Sequence, residues 1–211
     1  MAHIVLLGDS IFDNKSYVGA GGKDVVTHLR ETIPTDWKAT LKAVDGSLIE
    51  NVSRQLSDVP ETATHLIVSV GGNNALMNAD VLQMRADSSF QVLNELANRT
   101  ATFELQYRKM LDLVLAKNLP TAVCTIYYPN YPDPNLQKIA VAALANFNDA
   151  IIRQAIQNGL PVLDLRLICS EKSDYANPIE PSDSGGRKIA QKILELINNH
   201  DFSRRRTQIY A

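Results

Sequence analysis

Short apolar runs that alternate with longer segments constrain the fold of this chain more than any other feature. Each run ends in glycine or in small polar residues, as is typical of buried strands that open into loops. The predicted strands are residues 4–7, 37–44, 65–70, 120–127 and 161–165. Because the segments between them are long enough for crossover helices, the strands should be parallel. We therefore predict an α/β fold, a three-layer α/β/α sandwich with a parallel sheet of about five strands.

Helix start and stop signals occur between these runs. A helix should begin near Asp24 and end at Pro34. Ser47, with Glu50 three residues later, has the spacing of a capping box and predicts a second helix start. The remaining predicted helices are residues 103–117, 135–158 and 183–198. Residues 75–99 are rich in Ala, Leu, Met and Asn, and they look partly helical without clear bounds.

The composition argues against several classes of protein. The chain has 211 residues and a formal net charge of −2, whereas nucleic-acid and membrane-surface binders usually carry a basic excess. No apolar run approaches the roughly eighteen residues of a membrane span. Two cysteines without a pairing pattern, and a first strand that begins at His3 without a preceding signal peptide, favour the cytoplasm. We predict one domain over residues 1–200 and a solvated basic tail over residues 201–211.

The loops that follow the predicted strands contain residues suited to catalysis. Gly8-Asp9-Ser10 follows the first strand, Asp45-Gly46-Ser47 the second and Gly71-Gly72-Asn73-Asn74 the third. Because the carboxyl ends of parallel strands meet at one edge of a sheet, these loops should converge. Acyl transfer needs a nucleophile and hydrogen-bond donors aimed at the developing oxyanion, which serine, a glycine N–H and an asparagine amide can supply. Taken singly, the same residues are also typical of turns and helix caps.

Taken together, these blocks resemble the SGNH hydrolases, also called the GDSL-type lipase/esterase family. The family pattern is Gly-Asp-Ser, then a glycine, then Gly-x-Asn-Asp after three successive strands, and Asp-x-x-His near the C-terminus. The resemblance implies a flavodoxin-like sandwich that hydrolyses a small-molecule ester or acyl substrate without a metal or an organic cofactor. It implies that Ser10 is the nucleophile and a backbone donor. Gly46 and Asn73 would be the other oxyanion donors, with Asp9 in the same site.

The fourth block departs from the family pattern. The chain reads Asn177-Pro178-Ile179-Glu180-Pro181-Ser182-Asp183-Ser184-Gly185, so Glu180 stands in place of the histidine and Asn177 in place of the aspartate. None of the four histidines offers an obvious replacement. In one interpretation Glu180 is the general base of a hydrolase and Asn177 orients it by hydrogen bonding, since burial can raise the pKa of a carboxyl toward neutrality. In the other, the triad is inactive and the pocket binds an acyl or carbohydrate-like ligand without turnover.

Nucleotide binding is a third hypothesis, suggested by the parallel sheet and by Gly19-Ala20-Gly21-Gly22. A dinucleotide-binding fingerprint would need glycine where Asp24 stands, and these glycines lie well after the strand, so the sequence disfavours this hypothesis. Residues 75–99 and the loop at residues 127–134 are expected to form walls of the pocket. The sequence identifies neither the substrate nor the oligomeric state.

Overall fold

The central sheet of the computed structural model, which describes residues 1–211, consists of six parallel strands. They are β1 (His3–Gly8), β2 (Lys38–Leu41), β3 (His65–Ser69), β4 (Thr121–Cys124), β5 (Val162–Leu163) and β8 (Ile209–Tyr210). Their order across the sheet is β2-β1-β3-β4-β5-β8, and every neighbouring pair is parallel. Two further strands, β6 (Tyr175–Asn177) and β7 (Glu180–Pro181), form a separate antiparallel hairpin. The predicted parallel α/β fold is confirmed.

Seven α-helices connect and cover the strands. They are α1 (Val25–Thr32), α2 (Val52–Ser57), α3 (Gly72–Met77), α4 (Ser89–Leu115), α5 (Pro134–Asn158), α6 (Leu165–Ile168) and α7 (Asp183–Asn199). The Asp24 carboxylate caps α1 by accepting from the Thr27 N–H at 3.0 Å. Gly159 ends α5 in the left-handed conformation, with φ of 65°. None of these helices is both long and apolar enough to cross a membrane.

Both faces of the sheet are covered by helices, which makes three layers. Successive side chains of a strand point to opposite faces. Ile4 and Leu6 accordingly pack in one hydrophobic cluster with residues of α1 and α7, whereas Val5 and Leu7 pack in another with residues of α2, α4 and α5. All four side chains are fully buried, so β1 packs against helices on both of its faces.

Three local predictions are corrected by the structure. The long helix α4 begins at Ser89 rather than at residue 103, because its first half lacks the core-facing stripe on which the prediction relied. Ser47 does not cap a helix; its hydroxyl accepts from Gln55 Nε2 at 3.2 Å, and a 3₁₀ turn at Ile49–Asn51 precedes α2. The end of the chain is not wholly a solvated tail, since Ile209 and Tyr210 add the sixth strand and Tyr210 is buried.

Candidate active site

The loop after β1 carries Ser10 and is fixed in place by backbone contacts. Gly8 has a φ of 128°, and a Cβ at this position would lie only 1.7 Å from the carbonyl oxygen of Ser69. The side chain of Gln55 accepts from the Gly8 N–H and donates to the Gly8 carbonyl, both at 2.8 Å. Only glycine fits this close crossing, and the chain turns directly after it so that Ser10 lies at the carboxyl edge of the sheet.

A buried hydrogen bond joins Ser10 to Glu180, which the β6–β7 hairpin carries. Ser10 Oγ donates to Glu180 Oε1 at 3.1 Å. The exposed fractions of Ser10 and Glu180 are 7% and 6%, respectively. Asn14 connects the same two segments, since its Nδ2 donates to the Pro181 carbonyl at 3.1 Å and its Oδ1 accepts from the Val25 N–H at 3.0 Å. A serine hydroxyl therefore lies within hydrogen-bond distance of a buried carboxyl group, with no histidine between them.

Two carboxyl groups at this site have strongly raised pKa values. Burial raises the pKa of Glu180 to about 7; the hydrogen bond from Ser10 opposes this shift, and the charge of Asp45 adds to it. Burial also raises the pKa of Asp9 to about 7, opposed by the Ile11 N–H and increased by the charge of Glu180. Both carboxyl groups therefore titrate much nearer to neutral pH than exposed carboxyl groups do.

The structure does not support the predicted role of Asn177. Its side chain is exposed and its Oδ1 accepts from the Ile179 N–H at 2.9 Å, across the turn of the hairpin. Glu180 Oε2 is buried without a hydrogen-bond partner. The Asn177 amide oxygen accepts from the backbone N–H two residues along the chain, as is common for Asn in turns. Asn177 therefore does not orient Glu180 by a hydrogen bond.

The residues predicted as oxyanion donors occupy the loops after β1, β2 and β3. Asn73 Nδ2 donates to the Ser47 carbonyl at 3.0 Å, which leaves its second amide hydrogen uncommitted and places it beside the loop that holds Gly46. Neither the Ser10 N–H nor the Gly46 N–H donates to a protein acceptor. Gly46 has a φ of 75° and is exposed, with no atom within 4 Å of the position that a Cβ would take. Ser10 and Asn73 line the cavity described below, whereas Gly46 does not belong to its lining.

Asn74, which stands where the family pattern has Asp, has a structural contact instead. Its Oδ1 accepts from the Ile49 N–H at 3.0 Å, so it joins the loop after β3 to the turn that precedes α2. An aspartate could make the same contact with a carboxylate oxygen. The residue at this position therefore holds two loops together whether it is Asn or Asp.

A cavity of about 270 Å³ adjoins the candidate catalytic residues. Asp9, Ser10, Asn73 and Glu180 belong to its lining. Most of the other lining residues come from segment 75–83, from the loop after β4 and from the first half of α5. The walls expected from residues 75–99 and from the loop at 127–134 are thus observed, and the contribution of α5 was missed because its apolar stripe resembles a core stripe.

The cavity contains no histidine and the site has no metal-ligand cluster. None of the four histidines lines the cavity; His3, for example, contacts Thr62 and Thr40 at the opposite end of the sheet. No group of three or more His, Cys, Asp or Glu side chains is arranged to hold a metal ion. Two supporting residues, Asn14 and Gln55, were not singled out from the sequence, because a buried side-chain bond to backbone leaves no periodic signal.

Comparison with known proteins supports the fold described above. Residues 6–188 match the GDSL-like lipase/acylhydrolase family. A lipolytic G-D-S-L protein from Veillonella parvula is 16% identical with a TM-score of 0.69, covering 95% of this chain and 100% of its own. An extracellular lipase from Streptomyces rimosus is 15% identical with a TM-score of 0.66, over 95% of this chain and 100% of its own.

A third similar structure is an acetylxylan esterase from Geobacillus stearothermophilus. It is 16% identical with a TM-score of 0.63, over 96% of this chain and 96% of its own. No curated protein matches the chain in sequence. At these identities the structural likeness establishes the fold, and the match over residues 6–188 covers all four blocks that form the site.

Proposed function

Because the chain belongs to the GDSL-like lipase/acylhydrolase family, the SGNH hydrolases, we propose that it is a serine-dependent ester or acyl hydrolase in which Glu180 replaces the catalytic histidine. The observation that carries this proposal is the buried hydrogen bond from Ser10 Oγ to Glu180 Oε1 at 3.1 Å. A carboxylate with a pKa of about 7 is well matched to accept a proton near neutral pH. The substrate is proposed to be a small-molecule ester or acyl compound.

In the acylation step, Ser10 Oγ attacks the ester carbonyl carbon while its proton passes to Glu180. The tetrahedral intermediate bears its negative charge on the former carbonyl oxygen. The N–H groups of Ser10 and Gly46 and the free amide hydrogen of Asn73 are the proposed donors to this oxygen. Removing one such donor typically costs about 10²–10³ in rate, because a donor already aimed at the developing charge needs no reorganisation during the reaction.

Collapse of the intermediate breaks the ester bond, and Glu180 returns its proton to the departing alkoxide. The alcohol leaves and the acyl group remains on Ser10 Oγ. In the second half-reaction Glu180 takes a proton from water, the resulting hydroxide attacks the acyl carbon, and Ser10 recovers its proton from Glu180. The carboxyl group is ionised at the start and at the end, so the cycle is balanced.

The replacement of His and Asp by Glu and Asn preserves the charge of the site. A resting Ser-His-Asp site carries one negative charge, on Asp, and the present pair carries one, on Glu180. Transfer of the serine proton neutralises the base in this chain, whereas it forms an ion pair in the usual triad. Burial of Glu180 favours its neutral form and therefore favours the proton transfer.

Ester hydrolysis by purified protein tests the proposal. We expect turnover of p-nitrophenyl esters that Ser10→Ala abolishes, with Ser16→Ala as the matched control because Ser16 is exposed in the neighbouring loop. A fluorophosphonate probe should modify Ser10 and add one phosphonyl group, as read by mass spectrometry of the peptide. Turnover that persists in Ser10→Ala would refute the assignment of the nucleophile.

A catalytically impaired protein of the same fold, which binds an acyl or carbohydrate-like ligand without turnover, is the second candidate. The observation that favours it is that Glu180 Oε2 has no partner and that Asn177 contacts Ile179 instead. The fluorophosphonate experiment separates the two candidates, since an activated serine reacts whether or not the natural ester is known. Folded protein that the probe leaves unmodified would favour the binding protein.

A further inference from the structure

The cavity beside Ser10 is lined mostly by apolar side chains. Of its 28 lining residues, 18 are hydrophobic. Asp9 and Glu180 are the only charged residues in the lining, and no Lys, Arg or His belongs to it. Several of its polar side chains are already committed: Asn78 Nδ2 donates to the Asn74 carbonyl and Thr125 Oγ1 to Asp164. A ligand that enters this cavity finds few free donors and no positive charge, which disfavours sugars and anions.

The first half of α5 presents an apolar stripe to the cavity, whereas its second half packs in the core. Leu136, Ile139, Ala140, Ala143 and Leu144 follow helical spacing and all line the cavity. The exposed fractions of Leu136 and Ile139 are 40% and 49%, respectively. The same stripe continues into the buried Phe147, so the cavity wall merges with the hydrophobic core. Large apolar side chains left exposed around a concave site are typical of a ligand-binding surface.

The opposite wall is held in position by an ion-pair network. This wall comprises α3 and the 3₁₀ turn at Ala79–Gln83, and the turn contributes Val81, Leu82 and Gln83 to the lining. Arg99 of α4 donates to both carboxylate oxygens of Asp80 and to the Asn78 carbonyl. Arg99 therefore ties this wall to α4.

We propose that this cavity holds the acyl chain of the substrate and that the protein acts on uncharged esters of medium-length acyl groups, with Ala140 and Ala143 setting the chain length. The inference rests on the proposed function for the identity of the reacting serine. A methylene group occupies roughly 30 Å³, similar to a water molecule in the liquid, so a cavity of about 270 Å³ accommodates chains of about six to ten carbons. The methyl groups of the two alanines leave room that larger side chains would fill.

The test compares p-nitrophenyl esters from acetate to palmitate as substrates of the wild type, Ala143→Leu and Ala142→Leu. Ala142 is exposed on the same helix and does not line the cavity, so Ala142→Leu is the matched control. We expect the wild-type kcat/KM to rise about fourfold for each added carbon up to the octanoate or decanoate ester. Ala143→Leu should lower the octanoate-to-acetate ratio of kcat/KM at least tenfold, and Ala142→Leu should leave this ratio as in the wild type.

Other outcomes separate this inference from the proposed function. A kcat/KM that is highest for acetate and depends on Ser10 would overturn the acyl-chain inference and retain the hydrolase. If no ester is hydrolysed, the hydrolase proposal fails, and thermal unfolding of Ser10→Ala with octanamide tests the cavity alone. A rise in Tm with octanamide that propanamide does not give, and that Ala143→Leu removes, would support the cavity assignment; equal Tm values would overturn it.

Discussion

Glu180 is subject to two opposing influences that together determine its chemistry. Its burial disfavours the ionised form, whereas the hydrogen bond from Ser10 to Oε1 favours it. Oε2 remains unpaired, so the ionised carboxylate is only half satisfied. When the carboxylate accepts a proton, the free-energy cost of keeping a charge in such surroundings is relieved. This is the property that a general base needs.

The raised pKa of Glu180 predicts a pH-dependent effect on stability. Because its folded-state pKa is about 7, above the ordinary value of 4.5, the folded protein binds more protons than the unfolded chain between these values. The contribution of Glu180 to the free energy of unfolding is therefore present at about pH 4 and is lost as the pH rises through 7. Glu180→Gln, which stays neutral, should raise Tm relative to the wild type more at pH 8 than at pH 5, in thermal unfolding followed by circular dichroism. Glu61→Gln, at an exposed position, is the control, and an equal Tm difference at both pH values would contradict the buried-carboxylate assignment.

Asp45 gives a second prediction at the scale of single residues. Its negative charge raises the pKa of Glu180, so Asp45→Asn should move the acid limb of kcat/KM to lower pH. The shift should be smaller at high salt, because Asp45 is exposed and its charge is screened. Asp36→Asn removes an exposed charge at the other end of β2 and should leave the limb in place. An unchanged limb in Asp45→Asn at low salt would show that the two carboxylates are not coupled.

The catalytic pair depends on two elements that are far apart in sequence. The loop after β1 supplies Ser10, and the β6–β7 hairpin supplies Glu180, at a separation of 170 residues. Asn14 is fully buried and bridges these elements through Pro181 and α1. Its two contacts therefore stabilise the site as well as the fold.

Asn14→Ala should lower the free energy of unfolding by about 2–4 kcal/mol, since each buried partner left unsatisfied costs about 1–3 kcal/mol. It should also reduce kcat/KM by loosening the hairpin against the serine loop. Urea unfolding and ester hydrolysis measure the two effects. Asn198→Ala, on the exposed face of α7, should change stability by less than about 0.5 kcal/mol. An Asn14→Ala protein that is equally stable would contradict the bridging role.

The elements that the sequence predicts well are those whose apolar residues face the core. The strand at residues 65–70 and the helices at residues 135–158 and 183–198 agree with β3, α5 and α7 within a residue or so. The first half of α4 was predicted only as partly helical and without clear bounds, because it exposes Phe90 and Leu93 and so lacks a stripe of core-facing residues. The sixth strand has only two residues, which is too short for any periodic signal.

The sequence predicts those parts of the site whose proximity follows from the order of the strands and loops along the chain. Parallel strands bring their carboxyl ends together, so the proximity of the loops holding Ser10 and Asn73 follows from the fold. The assignment of Glu180 to the position of the family's histidine followed from aligning Pro181 and its neighbours with the family pattern. The orientation of Asn177 did not follow, because it depends on a local competition between the Ile179 N–H and the Glu180 carboxylate.

For the molecule as a whole, the last residues of the chain complete the sheet. Arg204, Arg205 and Arg206 are exposed, yet the chain continues beside β5. Gln208 and Tyr210 accept backbone hydrogen bonds from Val162 and Asp164 at 2.9 and 2.8 Å. This segment covers what would otherwise be an unpaired strand edge.

Removal of residues 207–211 should therefore destabilise the protein. Loss of the buried Tyr210 ring and of two strand hydrogen bonds should cost about 2–4 kcal/mol, or roughly 5–15 °C in Tm. Replacement of the three arginines by serine, with the strand left intact, should change Tm far less. Calorimetry of the truncated and substituted proteins makes the comparison, and a truncated protein with the wild-type Tm would show that β8 does not contribute to stability.

The most direct test of the central claim is the pH dependence of kcat/KM for Glu180→Gln beside the wild type, on one p-nitrophenyl ester from about pH 5 to 9. The account predicts a wild-type kcat/KM that rises through an apparent pKa near 7 to a plateau. Glu180→Gln should lie about 10²–10⁴ below that plateau without the acid limb, since the amide still accepts from Ser10 but cannot take its proton. A Glu180→Gln protein within tenfold of the wild type, with the same acid limb, would contradict the assignment of Glu180 as the base.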